Sequence, residues 1–350
     1  MKHTVLETDY LKALLMACGP SSNEMAPSEI FRIHTGKKAD KTIKDNMGNT
    51  IAIANPNVIY KVLLSAHIDE IGFQVSGVCS DGLLRIRKIG GVNTASLNGH
   101  AVVVKAKDGP VAGALVCKAN GDNNVIPGID EFFIDIDATS REEAERMVEM
   151  GDYVTFAPSV AITNDVITSK SIDNRIGVYI ISEVFEHLSG KLKSIQLIAA
   201  ATTQEEIGLK GMALIARETA PDICLNVDVT DALQIGKDEL PAINKGVVVY
   251  KNADSNPLIT KKLIESAERQ DISHQVALGR NITGGTDASR IQLFSARTAV
   301  AELAIPCKYM HSQHEKCGVK DVLASINLIS TFIFEMDKIL SNGEQPCFIY

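Results

Sequence analysis

The sequence predicts an α/β protein, a mostly parallel-centred sheet sandwiched by helices, with a β-rich segment inserted into it. Three observations predict it. Four short apolar runs, at 60–66 (YKVLLSA), 194–201 (SIQLIAAA), 223–227 (ICLNV) and 298–304 (TAVAELA), alternate with helix-like segments, as buried parallel strands joined by crossover helices do. Between about 70 and 165 the texture changes to short β-branched runs broken by turn dipeptides,. The length of 350 residues exceeds the usual size of a single core and favours two domains,.

The opening stretch MKHTVLETDYLKALLMACG spaces charged and apolar residues in a helical rhythm and lacks the unbroken apolar core of a signal peptide,. The run at 60–66 ends in polar residues, which sets His67 at the C-terminal end of a strand. In the insert, QVSGV, LLRIRKI, HAVVVKA, GALVC, FIDID and YVTFA are the candidate strands, with hairpin signals at Asp81-Gly82 and Asp108-Gly109 and one short helix over 141–150,. Helices are predicted over 174–188, where Ile176, Ile180, Ile181, Val184, Phe185 and Leu188 recur at helical spacing, over 258–270, and over 321–340,. Asp173 stands where an N-cap would.

Composition narrows the class of protein. An apolar share of 45% and a charged share of 22% suit a folded domain with a sizeable core,. A formal charge of −8 without any block of Lys and Arg argues against nucleic acid or an anionic membrane as partner,. The seven cysteines are scattered singly with no C-x-x-C pair, which fits reduced thiols rather than a disulfide framework or a thiolate zinc site. No window approaches the ~18 consecutive apolar residues of a membrane span. A cytoplasmic location is the expectation.

In an open α/β sheet, ligands gather beyond the carboxyl ends of the strands. His67 and Asp69 follow the first run, Glu205 and Glu206 the second, Asp228 the third and His311 the fourth, and Asp173 joins them at a helix start. Each alone has an ordinary structural explanation: a hydrogen-bonded strand-end histidine, an N-cap, first-turn carboxylates, a turn former. Accident gives no reason for two histidines and four carboxylates to collect at neighbouring strand ends. Nitrogen and carboxylate donors without thiolate suit zinc, cobalt or manganese. Two such ions, roughly 3.5–4 Å apart, can share a hydroxide and need an anionic bridge. The adjacent Glu205 and Glu206 must point in different directions, so one can bind metal while the other reaches water. The same adjacency disfavours a glycosidase, whose carboxyls face each other across about 5–9.5 Å.

The motifs SAHIDEIGF, SIDNRIGV, TTQEEIGLKG, NVDVTDA, TGGTDA and IPCKYMHS occur in this order, and the chain thereby resembles the glutamyl and deblocking aminopeptidases over nearly its whole length. Some members of that family are labelled endoglucanase, a name this donor set does not support. The resemblance implies two divalent ions, one held by His67, Asp173 and Glu206, the other by Asp173, Asp228 and His311, with Asp173 as the bridge. It implies that Glu205 is the general base, that Asp69 orients His67, and that the Asp173-Asn174 peptide bond is cis. It implies a di-zinc exopeptidase type of fold, with a catalytic unit of residues 1–69 and 166–350 and an inserted β-barrel-like dimerisation domain over 70–165. Relatives of this kind commonly assemble into hollow tetrahedral dodecamers that admit unfolded peptides.

The sequence departs from the family at Lys308, at Gln313-His314, which makes His314 a competitor of His311, and at GPSSNE (19–24). Within TGGTDA, the resemblance sets Gly285, Thr286 and Asp287 beside the substrate. Arg280, Arg290 and Lys308 would favour acidic side chains there, or they are surface charges. Two other functions compete with an aminopeptidase: a related amidohydrolase acting on N-acylated amino acids, and a non-catalytic metal-binding scaffold. Retention of Glu205 counts against the scaffold, which needs ligands but no base.

Overall fold

The computed structural model describes residues 3–117, 126–236, 238–278, 285–344, 346 and 348. Arg280, Thr283, Gly284 and Cys347 lie outside them.

The four apolar runs form the centre of a mixed sheet. Gln196–Thr202, Lys61–His67, Ile223–Asp231 and Ala299–Lys308 lie side by side in that order, all parallel. Their carboxyl ends therefore share one edge. Antiparallel strands flank them: Thr50–Ala54 and Lys41–Lys44 on one side, and Glu315–Gly318, Val166–Ser169 and Ala161–Ile162 on the other. Val247–Tyr250 pairs antiparallel with Ala299–Lys308 and carries His274–Ala277 beside it. Periodicity does not reveal these flanking strands, because they are short and several are only half-buried.

Side chains leave the central strands alternately to two cores. Val62, Leu64 and Ala66 face the larger core with Leu197, Ala199 and Ala201. There they meet the helices Thr8–Met16, Ile172–Leu188, Pro257–Arg269 and Val319–Ser341. Leu63, Ile198 and Ala200 face the smaller core under Lys210–Thr219 and Asp287–Phe294. Ile172–Leu188 is buried almost all round, because it lies between the sheet and Val319–Ser341 rather than against solvent.

Each of the six runs in the β-rich segment is a strand. Gly72–Val78, Leu84–Ile89, Phe132–Asp135, Gly109–Cys117, Ala101–Ala106 and Tyr153–Phe156 close in that order into a barrel. Closure leaves no open edge. The interior is a separate core that includes Phe73, Ile86, Val104, Leu115 and Phe156. The turn at Asp81-Gly82 needs its glycine: φ is +89°, and a Cβ there would lie 2.2 Å from the Ala138 carbonyl oxygen. The adjoining helix, Arg141–Met147, is shorter than the sequence suggests. Among the described residues, no helix is long and apolar enough to cross a membrane.

Candidate metal centre

The parallel centre sets the predicted polar residues on one edge. His67 closes its strand, Glu205 and Glu206 follow Gln196–Thr202, Asp228 lies within Ile223–Asp231, and His311 follows Ala299–Lys308. Asp173 enters from the start of Ile172–Leu188. It is not an N-cap there: Asp173 and Asn174 have non-helical backbone angles and Ser171 occupies the cap position with φ +57°. The Asp173-Asn174 bond is cis.

Asp173 stands between the two histidines. Its Oδ1 lies 3.1 Å from His67 Nε2 and its Oδ2 3.3 Å from His311 Nε2. Glu206 Oε1 is also 3.3 Å from His311 Nε2. Asp228 Oδ1 and Glu205 Oε2 approach His67 Nε2 at 3.7 and 3.8 Å. Potential ligand atoms of His67, Asp173 and Glu206 all lie within 4.8 Å of one another, as do those of His67, Glu205 and Asp228. The shortest contacts nonetheless divide the donors differently from the division the resemblance implies: Glu206 is nearer His311, and Asp228 nearer His67. His314 is not drawn in; its backbone N–H donates to Ser312 Oγ, and no bond among the described residues joins it to these donors.

The charges explain what this cluster is suited to hold. Burial opposes protonation of His67, yet the carboxylates of Glu205, Asp173, Asp69 and Asp228 hold it well above the ordinary imidazole range. Burial likewise opposes the proton on His311, which Asp173 and Glu206 push up to about 11. On the acid side, burial raises Glu205, Glu206 and Asp228, and neighbouring carboxylates add to it, Asp228, Asp287 and Glu206 on Glu205 and Asp173 on both Glu206 and Asp228. Asp173 is lowered despite its burial, because both imidazoles bond to it. Two buried carboxylates, Asp173 and Asp228, and two half-buried ones, Glu205 and Glu206, thus share two imidazoles and are under-neutralised. Divalent cations would relieve that excess, and the nitrogen and oxygen donors fit zinc, cobalt or manganese.

Two further carboxylates hold the donors in place. Asp69 accepts the backbone N–H groups of Glu205 and Glu206, both at 3.1 Å, and the hydroxyl of Ser21 at 2.6 Å. Its own carbonyl lies 3.2 Å from His67 Nδ1. Ser21 belongs to GPSSNE, so that departure from the family pattern still closes beneath Asp69. Glu315, which sequence reasoning missed, accepts the backbone N–H of Asp173 at 2.9 Å and that of His311 at 2.8 Å. The available signal was an acid four residues beyond His311, at the first position of the strand Glu315–Gly318. Also missed is the buried network around Glu70. Its carboxylate takes Lys170 Nζ at 2.7 Å, Ser171 Oγ at 2.5 Å and Arg175 Nη2 at 3.4 Å. It thereby ties the segment after Asp69 to the segment before Asp173.

The donors line a cavity of about 500 Å3 that also includes Gly285 and Thr286. A second cavity, of about 640 Å3, adjoins it and shares Val229, Gly285, Thr286 and Met310. Asp287 does not face either space, contrary to its expected place beside the substrate. It is buried, and its Oδ2 accepts the Thr202 hydroxyl at 2.5 Å. As the first residue of the Asp287–Phe294 helix, its side chain turns inward beneath the sheet edge. Arg290 Nη2 lies 3.5 Å from the Gly208 carbonyl oxygen.

Fold and donor set together define a metal-dependent hydrolase. A family model, the M42 glutamyl aminopeptidases, matches residues 48–328, and the chain belongs to that family; it is an aminopeptidase. It is 32% identical to the lysyl aminopeptidase of Pyrococcus furiosus over 85% of this chain and 88% of that protein. The crystal structure of a TET aminopeptidase from a marine sediment archaeon of the Thaumarchaeota superposes with a TM-score of 0.89 at 30% identity, covering 96% of this chain and 99% of that one. The TET1 peptidase of Pyrococcus horikoshii, which can assemble into a tetrahedron or a large octahedral shell, gives a TM-score of 0.83 at 27% identity, covering 93% and 98%.

Proposed function

We propose that this protein removes residues from the free N-termini of short unfolded peptides, using two divalent ions and Glu205 as general base. The observation that carries the reading is Asp173 with one carboxylate oxygen toward each histidine, the arrangement a bridging ligand needs. On the shortest contacts, His67, Asp173 and Asp228 would hold one ion, and His311, Asp173 and Glu206 the other. Zinc, cobalt or manganese bound there would supply Lewis-acid polarisation of the scissile carbonyl and an anchor for the substrate's amine.

The chain's own residues do the rest. Glu205 is half-buried, and desolvation raises its carboxyl, so it is suited to take a proton from the attacking water and deliver it to the leaving amine. Asp69 anchors the backbone N–H groups of Glu205 and Glu206 and orients His67. Gly285 and Thr286 border both cavities, where the peptide backbone would pass between them. We assign residues 1–69 and 166–350 to the catalytic unit and 70–165 to an inserted dimerisation domain, a division supported by the separate core of the barrel. Homo-oligomers, dodecamers by analogy with tetrahedral relatives, would form through it. The activity belongs in the cytoplasm, where the thiols of Cys18, Cys79, Cys224, Cys307 and Cys317, none of them bridged, would stay reduced.

The test strips the metal, restores zinc, cobalt or manganese separately, and follows amino-acid release from matched peptides with free and acetylated amino termini. Ion-dependent release from the free peptide alone, lost in Glu205→Gln with both ions retained, is the expected result. Preference for the acetylated peptide would replace the reading with an amidohydrolase. No release from either peptide with both ions bound would replace it with a scaffold.

A further inference from the structure

The barrel reaches into the metal centre. Gly90 and Gly91 follow its strand Leu84–Ile89 and lie directly against two of the donors. A Cβ on Gly90 would stand 3.1 Å from Glu206 Oε2, and one on Gly91 would stand 2.8 Å from His311 Nδ1 and 2.9 Å from Cε1. The approach is this close because a hydrogen bond passes through it: the Gly91 carbonyl oxygen lies 3.0 Å from His311 Nδ1. The opposite ring nitrogen, Nε2, is the one that faces Asp173 and Glu206.

His311 itself rides on a loop that needs an external hold. Both Tyr309 and His311 have positive φ, at 59° and 60°, a conformation that costs a non-glycine residue energy unless its surroundings enforce it. Glu315 holds the backbone of that loop from the sheet side. From the barrel side, Gln313 Nε2 donates to the carbonyls of Ala157 at 3.2 Å and Ala101 at 3.5 Å. The loop is thus clasped between sheet and barrel, and its imidazole meets the barrel's glycine turn.

We propose that the Gly90-Gly91 turn is a positioning element of the metal centre: the Gly91 carbonyl fixes the His311 ring and its tautomer, so that the barrel completes the second ion site. With Nδ1–H bonded to a carbonyl, the proton stays on that nitrogen and the Nε2 lone pair is directed at the ion. Glycine is required at 91 because any side chain would displace the ring it positions. This inference rests on the reading of His311 as a ligand.

Zinc titration of the ion-free full-length protein by calorimetry tests it without reference to activity, alongside long-range proton–nitrogen NMR of the imidazoles. Wild type should bind two ions, and His311→Ala should lose one. Gly91→Ala should weaken that same step by roughly 10–100-fold, because the displaced ring loses its bond to the carbonyl that orients it. The other step should stay unchanged, and the His311 Nδ1–H signal should move. Gly77→Ala is the control: it lies in the same barrel, and its Cβ meets nothing within 4 Å. It should titrate as wild type. If Gly91→Ala does not fold, Gln313→Leu decides. It leaves glycine and histidine in place, and several-fold weaker binding of the second ion is expected. Unchanged titrations and an unmoved Nδ1–H signal in the folded variants overturn the proposal. Retention of both ions by His311→Ala would instead overturn the ligand reading beneath it.

Discussion

Glu315 Oε2 accepts the backbone N–H of Asp173 across 142 positions of chain, at 2.9 Å. With its other oxygen on the His311 N–H, this one carboxylate spaces Asp173 from His311. Ligands that come from separate elements keep their geometry only if something rigid spans them. Glu315 is 2% exposed, so neither bond has water to compete with it.

Glu315→Gln keeps the shape but turns an NH2 group toward an N–H that needs an acceptor. A buried donor left unsatisfied costs about 1–3 kcal/mol. The variant should melt lower and retain less metal on dialysis than wild type, as read by calorimetric melting and by metal analysis. Equal melting temperature and full ion content would show that Glu315 spaces nothing.

Gly177 tests the helix start that presents Asp173. A Cβ at this position would fall 2.2 Å from Asn174 Oδ1. The Asn174 amide cannot give way cheaply, because Oδ1 accepts the Gly177 N–H at 3.1 Å and Nδ2 donates to the Val227 carbonyl at 2.8 Å. Gly177→Ala should cost about 1–3 kcal/mol by overpacking, although alanine ordinarily favours a helix. Chemical denaturation measures it, and a neutral or stabilising result would mean that Asn174 moves freely.

Protons and metal compete for the histidines. Without an ion, both imidazoles hold a proton more tightly than a free imidazole does, His311 up to about 11. Binding needs their lone pairs, so it should release protons, and affinity should rise with pH through the neutral range. Calorimetry in buffers of different ionisation enthalpy reads the release; enthalpies independent of buffer would contradict it. For the ion-free protein the sign is opposite. A histidine raised above its unfolded value stabilises the fold fully below about 6.5, and this contribution is lost as pH rises through its folded value. Chelated protein should therefore lose stability toward high pH relative to the ion-bound form.

A second pH effect arises far from the metal centre, in the last turn of Ile172–Leu188. There burial, with help from Lys191 and His3, pushes His187 down to about 4. The His3 ring packs edge-on at 4.9 Å. Below about 6.5 the unfolded chain takes up this proton while the native state refuses it, so stability should fall as pH drops from about 6.5 to 4. His187→Asn should flatten the melting temperature across that window. An unchanged slope would mean that His187 titrates normally.

The central strands were legible because full burial on both faces writes an unbroken apolar run. The barrel strands were legible because alternation and turn dipeptides mark them locally. The antiparallel flanks were not, since Lys41–Lys44 and Glu315–Gly318 are strands by virtue of the neighbours they pair with. Asp173 shows the limit at a single residue: its position before a helix reads as an N-cap, whereas its side chain turns to two histidines more than a hundred positions away in chain.

By itself, the sequence determined that polar residues follow the apolar strands of an α/β sheet, and its ordered motifs determined the family. Both are properties of short contiguous stretches, where residue type and spacing carry the information. The tertiary structure alone decided which donors stand beside which histidine, that Asp287 turns away from the cavity, and that Glu315 and the Gly90-Gly91 turn support the centre. Those are relations across 85 to 220 residues of chain, set by how sheet, helix and barrel pack together, and no local pattern encodes a distance of that kind.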